Sequence, residues 1–407
     1  MPNVSSTLPP AIEEKSPLGT APRFFARRDK ILLPLLAGVT IAALTISAEL
    51  VSRVIFANST SLLASCMILD DPATGPRAIP NSVCREKAPE SGLIEYRFDS
   101  CGYRLGAGCR PKAPGAYRIV LVGSSGVLGE HVPTENTFAT LLPEELSRRS
   151  DRKIDVYNEG IGWGFAATVS LRFPQVLAAQ PDMILWVLSV GDIEGANLVI
   201  QASKEERQRQ LSQNLRARTW MHLQRALGSE SLDQAIPELF NRTRTAIALR
   251  HLLYQSQSLH VRAALAPAAP TAKYLTAQFD PDSQQHLREF DRDLAEVSAK
   301  AKAAGVPLVV TYTPSSVQAA MIATGDWPPQ FDPYKLDREL QDIVQRHHAT
   351  FLDILPGYRS IPDPDKGYFP VDGHANSVGH ATMANLLSDN LVRLLISTRP
   401  TPRRDSE

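Results

Sequence analysis

Tyr117–Gly126 reads YRIVLVGSSG, and this stretch decides the fold class. Arg118–Val122 is a short apolar run that ends in Gly123, the pattern of a strand buried on both faces of a parallel sheet. A turn of small residues follows. Downstream, Thr134 and Asn136 are cap candidates for a helix whose inner face is Phe138, Leu141, Leu142 and Leu146. Lys153–Tyr157 reads as a second strand, 166–179 as a second helix and Met183–Val190 (MILWVLSV) as a third strand. Strands alternating with helices predict an α/β domain, a parallel sheet covered on both faces.

Toward the C-terminus the rhythm resumes with a helix over 284–304, a strand over Pro307–Tyr312, a helix over 333–347, a strand over Thr350–Ile354 and a closing helix from Ser377 to Leu395. Residues 200–265 interrupt it. They are helix-forming throughout, with basic and Gln-rich faces, and read as an inserted helical cap. A Pro/Ala linker, 264–272, leads back to the sheet, and no internal repeat is visible. The α/β domain is therefore expected over 117–396, with a disordered tail at 397–407.

Upstream the composition changes. Residues 1–22 are rich in Pro, Ser and small residues, so 1–30 is expected to be disordered. Arg23, Arg27, Arg28 and Lys30 then precede Ile31–Ala48, which has no charged residue. As a helix this run spans roughly 27 Å, near the thickness of a bilayer's hydrocarbon core. We expect a membrane helix over 31–52, with 1–30 in the cytoplasm because the basic flank comes first. A cleaved signal peptide is the competing reading, disfavoured by the long apolar run and long preceding region.

Cys66, Cys84, Cys101 and Cys109 all fall in the Pro- and Gly-rich segment 53–116, and no cysteine follows them. An even number in one irregular segment points to two disulfides in an oxidising compartment and a stapled, loop-rich neck. Three pairings are possible; Cys66–Cys84 with Cys101–Cys109 closes the shortest loops. A four-thiolate zinc site is the alternative, but the paired Cys-x-x-Cys knuckles it favours are missing. Lys and Arg together number 43, as do Asp and Glu, so the net charge of zero gives no support for a nucleic-acid partner. Nothing in the sequence calls for a cofactor.

Two segments carry chemistry. Ser125, in a turn just after a buried strand, would present its hydroxyl at the carboxyl edge of the sheet, near backbone N–H groups able to stabilise an oxyanion. Alone, such a turn is more often a plain strand-to-helix connection. Phe369–His380 reads FPVDGHANSVGH and places Asp372 and His374 just before the last helix, where Ser377 is a cap candidate. A histidine oriented by a carboxylate is the base a serine nucleophile needs. The competing readings are a surface turn, or a metal site of Asp372, His374 and His380. His347 and His348 end a polar helix and are expected to be solvated.

Together these segments resemble the SGNH (GDSL) hydrolase superfamily, in its membrane-anchored bacterial form. FDSCGYR (98–104), NEGIGWG (158–164), Gln180-Pro181-Asp182 and Thr313-Pro314-Ser315 resemble further blocks of that family in the same order. The likeness covers roughly residues 95–395. It implies a three-layer αβα, flavodoxin-like fold, with Ser125 as nucleophile, His374 as base and Asp372 as its orienting partner. The oxyanion donors it implies are the Ser125 N–H and Gly164 or Gly162. There are departures: Ser124 stands where the family has Asp, and Ser189-Val190-Gly191-Asp192 lacks the family's oxyanion-hole Asn, with Asn197 a poor substitute. The Asp–His spacing is also that of polysaccharide O-acetyltransferases of the alginate type. Three activities are compatible: an extracytoplasmic esterase for acyl, mainly acetyl, esters of a glycan or lipid; an envelope O-acetyltransferase working beside a multi-pass acyltransferase; and an inactive binding module on the same fold.

Overall fold

The computed structural model describes residues 29–57, 63–69, 71, 73–104, 111–194, 243–265 and 270–397. The expected disordered segment 1–30 lies outside these up to residue 28, as do residues 200–242 of the expected cap and 398–407 of the tail.

The chain divides into two units, Met1–Val51 and Ser52–Glu407. The described part of the first is helix α1, Asp29–Ile55, which continues past the unit boundary. Its stretch Ile31–Ile55 has a mean hydropathy of 2.2, so it is long and apolar enough to cross a membrane.

The second unit is built on five parallel strands: β5 (Ala116–Gly123), β6 (Lys153–Gly160), β7 (Met183–Leu188), β8 (Leu308–Tyr312) and β9 (Thr350–Leu352). Their spatial order is β6-β5-β7-β8-β9. The chain steps one way from β5 to β6, through α3 (Phe138–Ser150). It then crosses back to β7 through α4 (Ala166–Ala178) and runs on to β8 and β9 through α8 (Pro281–Ala303) and α10 (Lys335–Arg346). Right-handed crossovers in opposite directions put α3 on one face and α4, α8 and α10 on the other. The last helix, α11 (Ser377–Ser397), packs beside α3, and α4 packs beside α8. This is the three-layer αβα arrangement expected from the SGNH resemblance. The order reverses at β5 and β7, and the crevice beyond their carboxyl ends is where ligands bind in open α/β sheets.

Sequence periodicity locates the sheet well because β7 and β8 are buried along their whole length (burial at every residue), a pattern a continuous apolar run encodes directly. The segment 53–116 differs from expectation. It forms two short antiparallel hairpins, β1–β2 (Met67–Ile68 with Arg77–Ala78) and β3–β4 (Val83–Lys87 with Leu93–Arg97). Leu63, Tyr96 and Phe98 from it form one apolar cluster with Leu128 and Ile161 of the α/β domain. The segment is thus part of the domain rather than a separate neck. Its strands escaped notice because VCREK and LIEYR bury only alternate residues among charges.

The Cys66–Cys84 disulfide is formed. Cys101 is disulfide-bonded as well, and Cys109, its expected partner, lies outside the described residues. Of the inserted region, α6 (Arg244–Tyr254) and α7 (Gln257–Ala264) are helical as expected. Short helices α2 (Ser125–Leu128) and α5 (Val190–Glu194) follow β5 and β7, and α9 (Ser316–Thr324) follows β8.

Candidate active site

The β5 strand delivers Ser125 to the sheet edge as the first residue of α2. Two close approaches fix the turn. A Cβ on Gly123 would stand 2.5 Å from the Val187 carbonyl oxygen, and one on Gly160 would stand 2.2 Å from the Leu128 nitrogen. The Asn158 amide donates to the Val127 carbonyl at 2.9 Å, tying the helix to β6. Buried Arg104 stacks on Tyr96 and donates to the carbonyls of Leu128 (2.7 Å), Gly129 (2.5 Å) and Val132 (2.6 Å). A cation at these last carbonyls matches the negative end of the short helix, and it gives the arginine of the 98–104 block a structural role.

Asp372 and His374 sit in the loop between Tyr368 and α11. The Phe369 N–H donates to the His374 carbonyl at 2.9 Å and closes the loop. The Asn376 amide donates to the carbonyls of Lys366 and Tyr368, while its oxygen accepts from the N–H groups of Val378 and Gly379. Asn376 therefore caps α11; Ser377, the expected cap, is the helix's first residue. Gly379 is required there because a Cβ would meet the Gly367 oxygen at 2.1 Å.

These two segments, 249 residues apart, meet: His374 Nε2 lies 2.7 Å from Ser125 Oγ. On the other side of the ring, Nδ1 lies 2.6 Å from Asp372 Oδ1, which also accepts the His374 backbone N–H at 3.1 Å. A carboxylate can only accept, so Nδ1 carries a proton and Nε2 is free to accept the serine proton. Burial opposes a charge on His374, but the Asp372 carboxylate outweighs it and raises the imidazole above its ordinary value. Burial likewise opposes charge on Asp372, yet its imidazole partners, His131 and His374, hold it well below the usual carboxylate range.

Three residues of this neighbourhood left no mark in the sequence. His131 Nε2 stands 3.3 Å from Asp372 Oδ2, the oxygen His374 does not use. Glu90, from the β3–β4 turn, accepts the backbone N–H groups of Val371 (3.1 Å) and Asp372 (2.7 Å). His251 of α6 lies 2.7 Å from the same carboxylate. Only contacts across hundreds of residues give these groups meaning, and no local spacing announces them.

The serine opens onto a cleft of ≈ 460 Å³ lined by the ends of β5 and β7, by Trp163 and Gly164 after β6, by Thr313–Ser315 after β8, and by Asp372–Ala375. Gly164 faces this cleft. Gly162 does not line it, and a Cβ there would meet Leu63 and Leu128. At Ser124 and Ser189–Asp192, the departures noted in the sequence, a polar knot exists. The Ser124 hydroxyl donates to Asp192 Oδ2 at 2.9 Å, and the Ser189 N–H and hydroxyl donate to the same oxygen at 2.8 and 2.7 Å. Burial pushes the Asp192 carboxyl up to about 6 despite these bonds. Asn197 lies outside the described residues.

The other candidate histidines separate cleanly. His380 is buried, stacks on Phe138, and accepts the Phe138 N–H through Nδ1 at 3.2 Å. Burial drives its imidazole down to about 3, so it is a neutral core residue and does not join Asp372 and His374. His347, expected to be solvated, instead pairs with Asp291 at 2.6 Å.

No family model matches the chain, and no curated protein matches it. Solved structures do. TesA aligns at 13% identity over 68% of this chain and 99% of its own, with a TM-score of 0.36. The lipase/acylhydrolase from Enterococcus faecalis aligns at 13% identity over 68% and 96%, with a TM-score of 0.37. A GDSL-like lipase from Bacteroides thetaiotaomicron aligns at 11% identity over 68% and 88%, with a TM-score of 0.31.

Proposed function

We propose that the chain is a membrane-anchored, extracytoplasmic serine esterase that cleaves acyl esters, chiefly acetyl esters, of a glycan or lipid. The observation that carries this is the continuous line from Ser125 Oγ through the His374 ring to Asp372 Oδ1, with both links under 3 Å (2.7 and 2.6 Å). His374 Nε2 takes the Ser125 proton as Oγ bonds to the ester carbonyl carbon. The developing oxyanion is met by the Ser125 N–H and, on this reading, by the N–H of Gly164 after a small rearrangement, since that group now donates to Ile161. Collapse expels the alcohol with the proton from His374 Nε2. Water then attacks the acyl-enzyme by the same proton path in reverse, releasing the acid and free serine. Ser189–Asp192 supplies no carboxamide, and an oxyanion hole short of one donor costs on the order of 10²–10³ in rate relative to a complete one.

The anchor is α1, and the positive flank before it supports residues 1–30 inside and the rest outside. The disulfide Cys66–Cys84 is compatible with that side of the membrane. Transfer of the acyl group to a sugar hydroxyl in place of water, beside a membrane-bound acyl donor, is the second reading. Trp163 favours a sugar in either case: it lines the cleft while held at φ 59°, a backbone conformation that bulky residues avoid. An aromatic side chain at the cleft suits a sugar ring.

The test is Ser125→Ala in the full-length protein held in detergent, assayed with p-nitrophenyl acetate. A loss of about 10⁴-fold or more is expected. Unchanged turnover overturns the nucleophile assignment. With an acetylated oligosaccharide as donor and a sugar acceptor present, acetyl transfer in excess of hydrolysis would select the second reading.

A further inference from the structure

We propose that His131 is a positioning residue for the reaction, a second imidazole that clamps the outer oxygen of Asp372 and keeps that carboxylate aimed at His374. This rests on the esterase reading of the site.

The geometry is specific. His131 is buried, with only 7% of its surface exposed, and sits at φ 64°, a left-handed backbone that a bulky side chain avoids. Its backbone N–H donates to the Tyr96 hydroxyl at 2.9 Å, which fixes the ring from the hairpin side. The ring stands edge-on to His374, with centroids 5.6 Å apart, and edge-on to Phe369. Three carboxylates surround it: Nε2 is 3.3 Å from Asp372 Oδ2 and 3.8 Å from Glu130 Oε1, and Nδ1 is 3.6 Å from Glu86 Oε2.

This arrangement assigns the two oxygens of Asp372 to two different rings. Oδ1 takes Nδ1 of His374, and Oδ2 faces Nε2 of His131. Burial opposes a charge on His131, but the Asp372, Glu130 and Glu86 carboxylates prevail and raise its imidazole above the ordinary value. A protonated ring at this point does two things. It supplies an N–H to Oδ2, and it separates Asp372 from two further carboxylates that would otherwise face it with no cation between them. Without the ring, those like charges favour rotation of Asp372 away from His374. Loss of the carboxylate's aim releases the His374 tautomer, and the tautomer is what leaves Nε2 free to accept the serine proton.

The experiment uses full-length protein in detergent and p-nitrophenyl acetate. His131→Ala is expected to lower kcat about tenfold with KM unchanged. His131→Gln, whose amide N–H reaches near the place of Nε2, is expected to recover most of that loss at the same melting temperature as His131→Ala. If the alanine variant keeps wild-type kcat, or if glutamine is no better than alanine while equally folded, the inference is overturned. Should His131→Ala fail to fold, the cycle of His131→Phe, which keeps a ring but has no N–H to offer Asp372, and Asp372→Ala decides. A double variant no slower than Asp372→Ala alone shows that His131 acts through Asp372, and simple multiplication of the two losses overturns it. Loss of wild-type activity on dialysis against EDTA, restored by a divalent metal, would show these groups holding a cation and would also overturn the clamp. Ser125→Ala separates the levels: unchanged turnover there removes the esterase reading itself, whereas an essential Ser125 with indifferent His131 variants removes only the clamp.

Discussion

Ser125 and His374 arrive at the same 2.7 Å contact by opposite routes. The serine is placed by its own neighbourhood. It follows directly on a buried strand, its turn is pinned by glycine contacts against β6 and β7, and its short helix is tied by Asn158, 31 residues away. The Asp372–His374 loop has little regular structure of its own. Its backbone N–H groups at Val371 and Asp372 donate to Glu90, more than 280 residues upstream (separations of 281 and 282), in the hairpin that precedes the sheet. The α6 helix of the inserted region adds His251 beside the same carboxylate, and its Tyr254 hydroxyl donates to the Tyr368 carbonyl at 3.0 Å. The nucleophile is therefore held largely by the sheet, while the loop carrying the base is held by the hairpin before the sheet and by the inserted region. A fold of this kind can keep its serine and still lose catalysis through its accessory parts.

The sharpest way to break the comparison is on the serine's side. Gly160→Ala places a methyl 2.2 Å from the Leu128 nitrogen and 2.5 Å from the Val127 carbonyl carbon, both backbone atoms that cannot rotate away. The nucleophile helix must shift by something near an ångström. We expect a kcat loss of about 10²-fold or more together with about 1–3 kcal/mol of stability. Steady-state kinetics and a thermal melt of the same sample check both. Retention of full activity would mean that the β6 approach does not locate Ser125.

On the base's side the expected effect is smaller. The Glu90 side chain is 4% exposed, so its removal leaves two loop N–H groups short of a buried acceptor. Glu90→Ala should lower kcat about tenfold through loss of aim, with KM nearly unchanged because the cleft walls stay in place. Glu90→Gln keeps one acceptor oxygen and should fall between. If both variants match the wild type, the hairpin does not hold the loop, and the contrast drawn above fails.

The same contrast explains what the sequence made legible. RIVLV, MILWVLSV and PLVVTY announce buried strands because each is apolar without interruption, and Asp372 and His374 are marked by their two-residue spacing before an amphipathic stretch. The parallel sheet and the three residues that meet were therefore within reach, whereas the strand order was not. Glu90 was not, since its neighbours AP and SG signal only a turn. Nor was His131, whose meaning depends on a left-handed backbone and on carboxylates from three separate segments. The first hairpin has strands of two residues, too short for any period, and in the second the charges of VCREK and LIEYR mask the alternation. Gly162 and Gly164 could not be told apart, because one residue of rotation in an irregular loop decides which of them faces the cleft.

The smallest effect is electrostatic and reads the base directly. His374 must be neutral at Nε2 to accept the Ser125 proton. Activity is therefore present above the His374 pKa and lost as pH falls through it, and that pKa is raised, so the acid limb of kcat/KM should lie above the ordinary histidine value of 6.5. Asp372 supplies most of the rise, but Glu130 and Glu86 add to it through their charge. Glu130→Gln removes one such charge while leaving Asp372 and its hydrogen bonds in place. The acid limb should then move to lower pH, giving about a twofold gain in kcat/KM on that limb and little change on the plateau. Added salt should leave the variant's limb almost still and move the wild type's toward it, because partly exposed charges are screened. A limb that moves to higher pH on losing Glu130 would mean that the titrating base is not the imidazole facing these carboxylates, and the assignment of His374 would have to be given up.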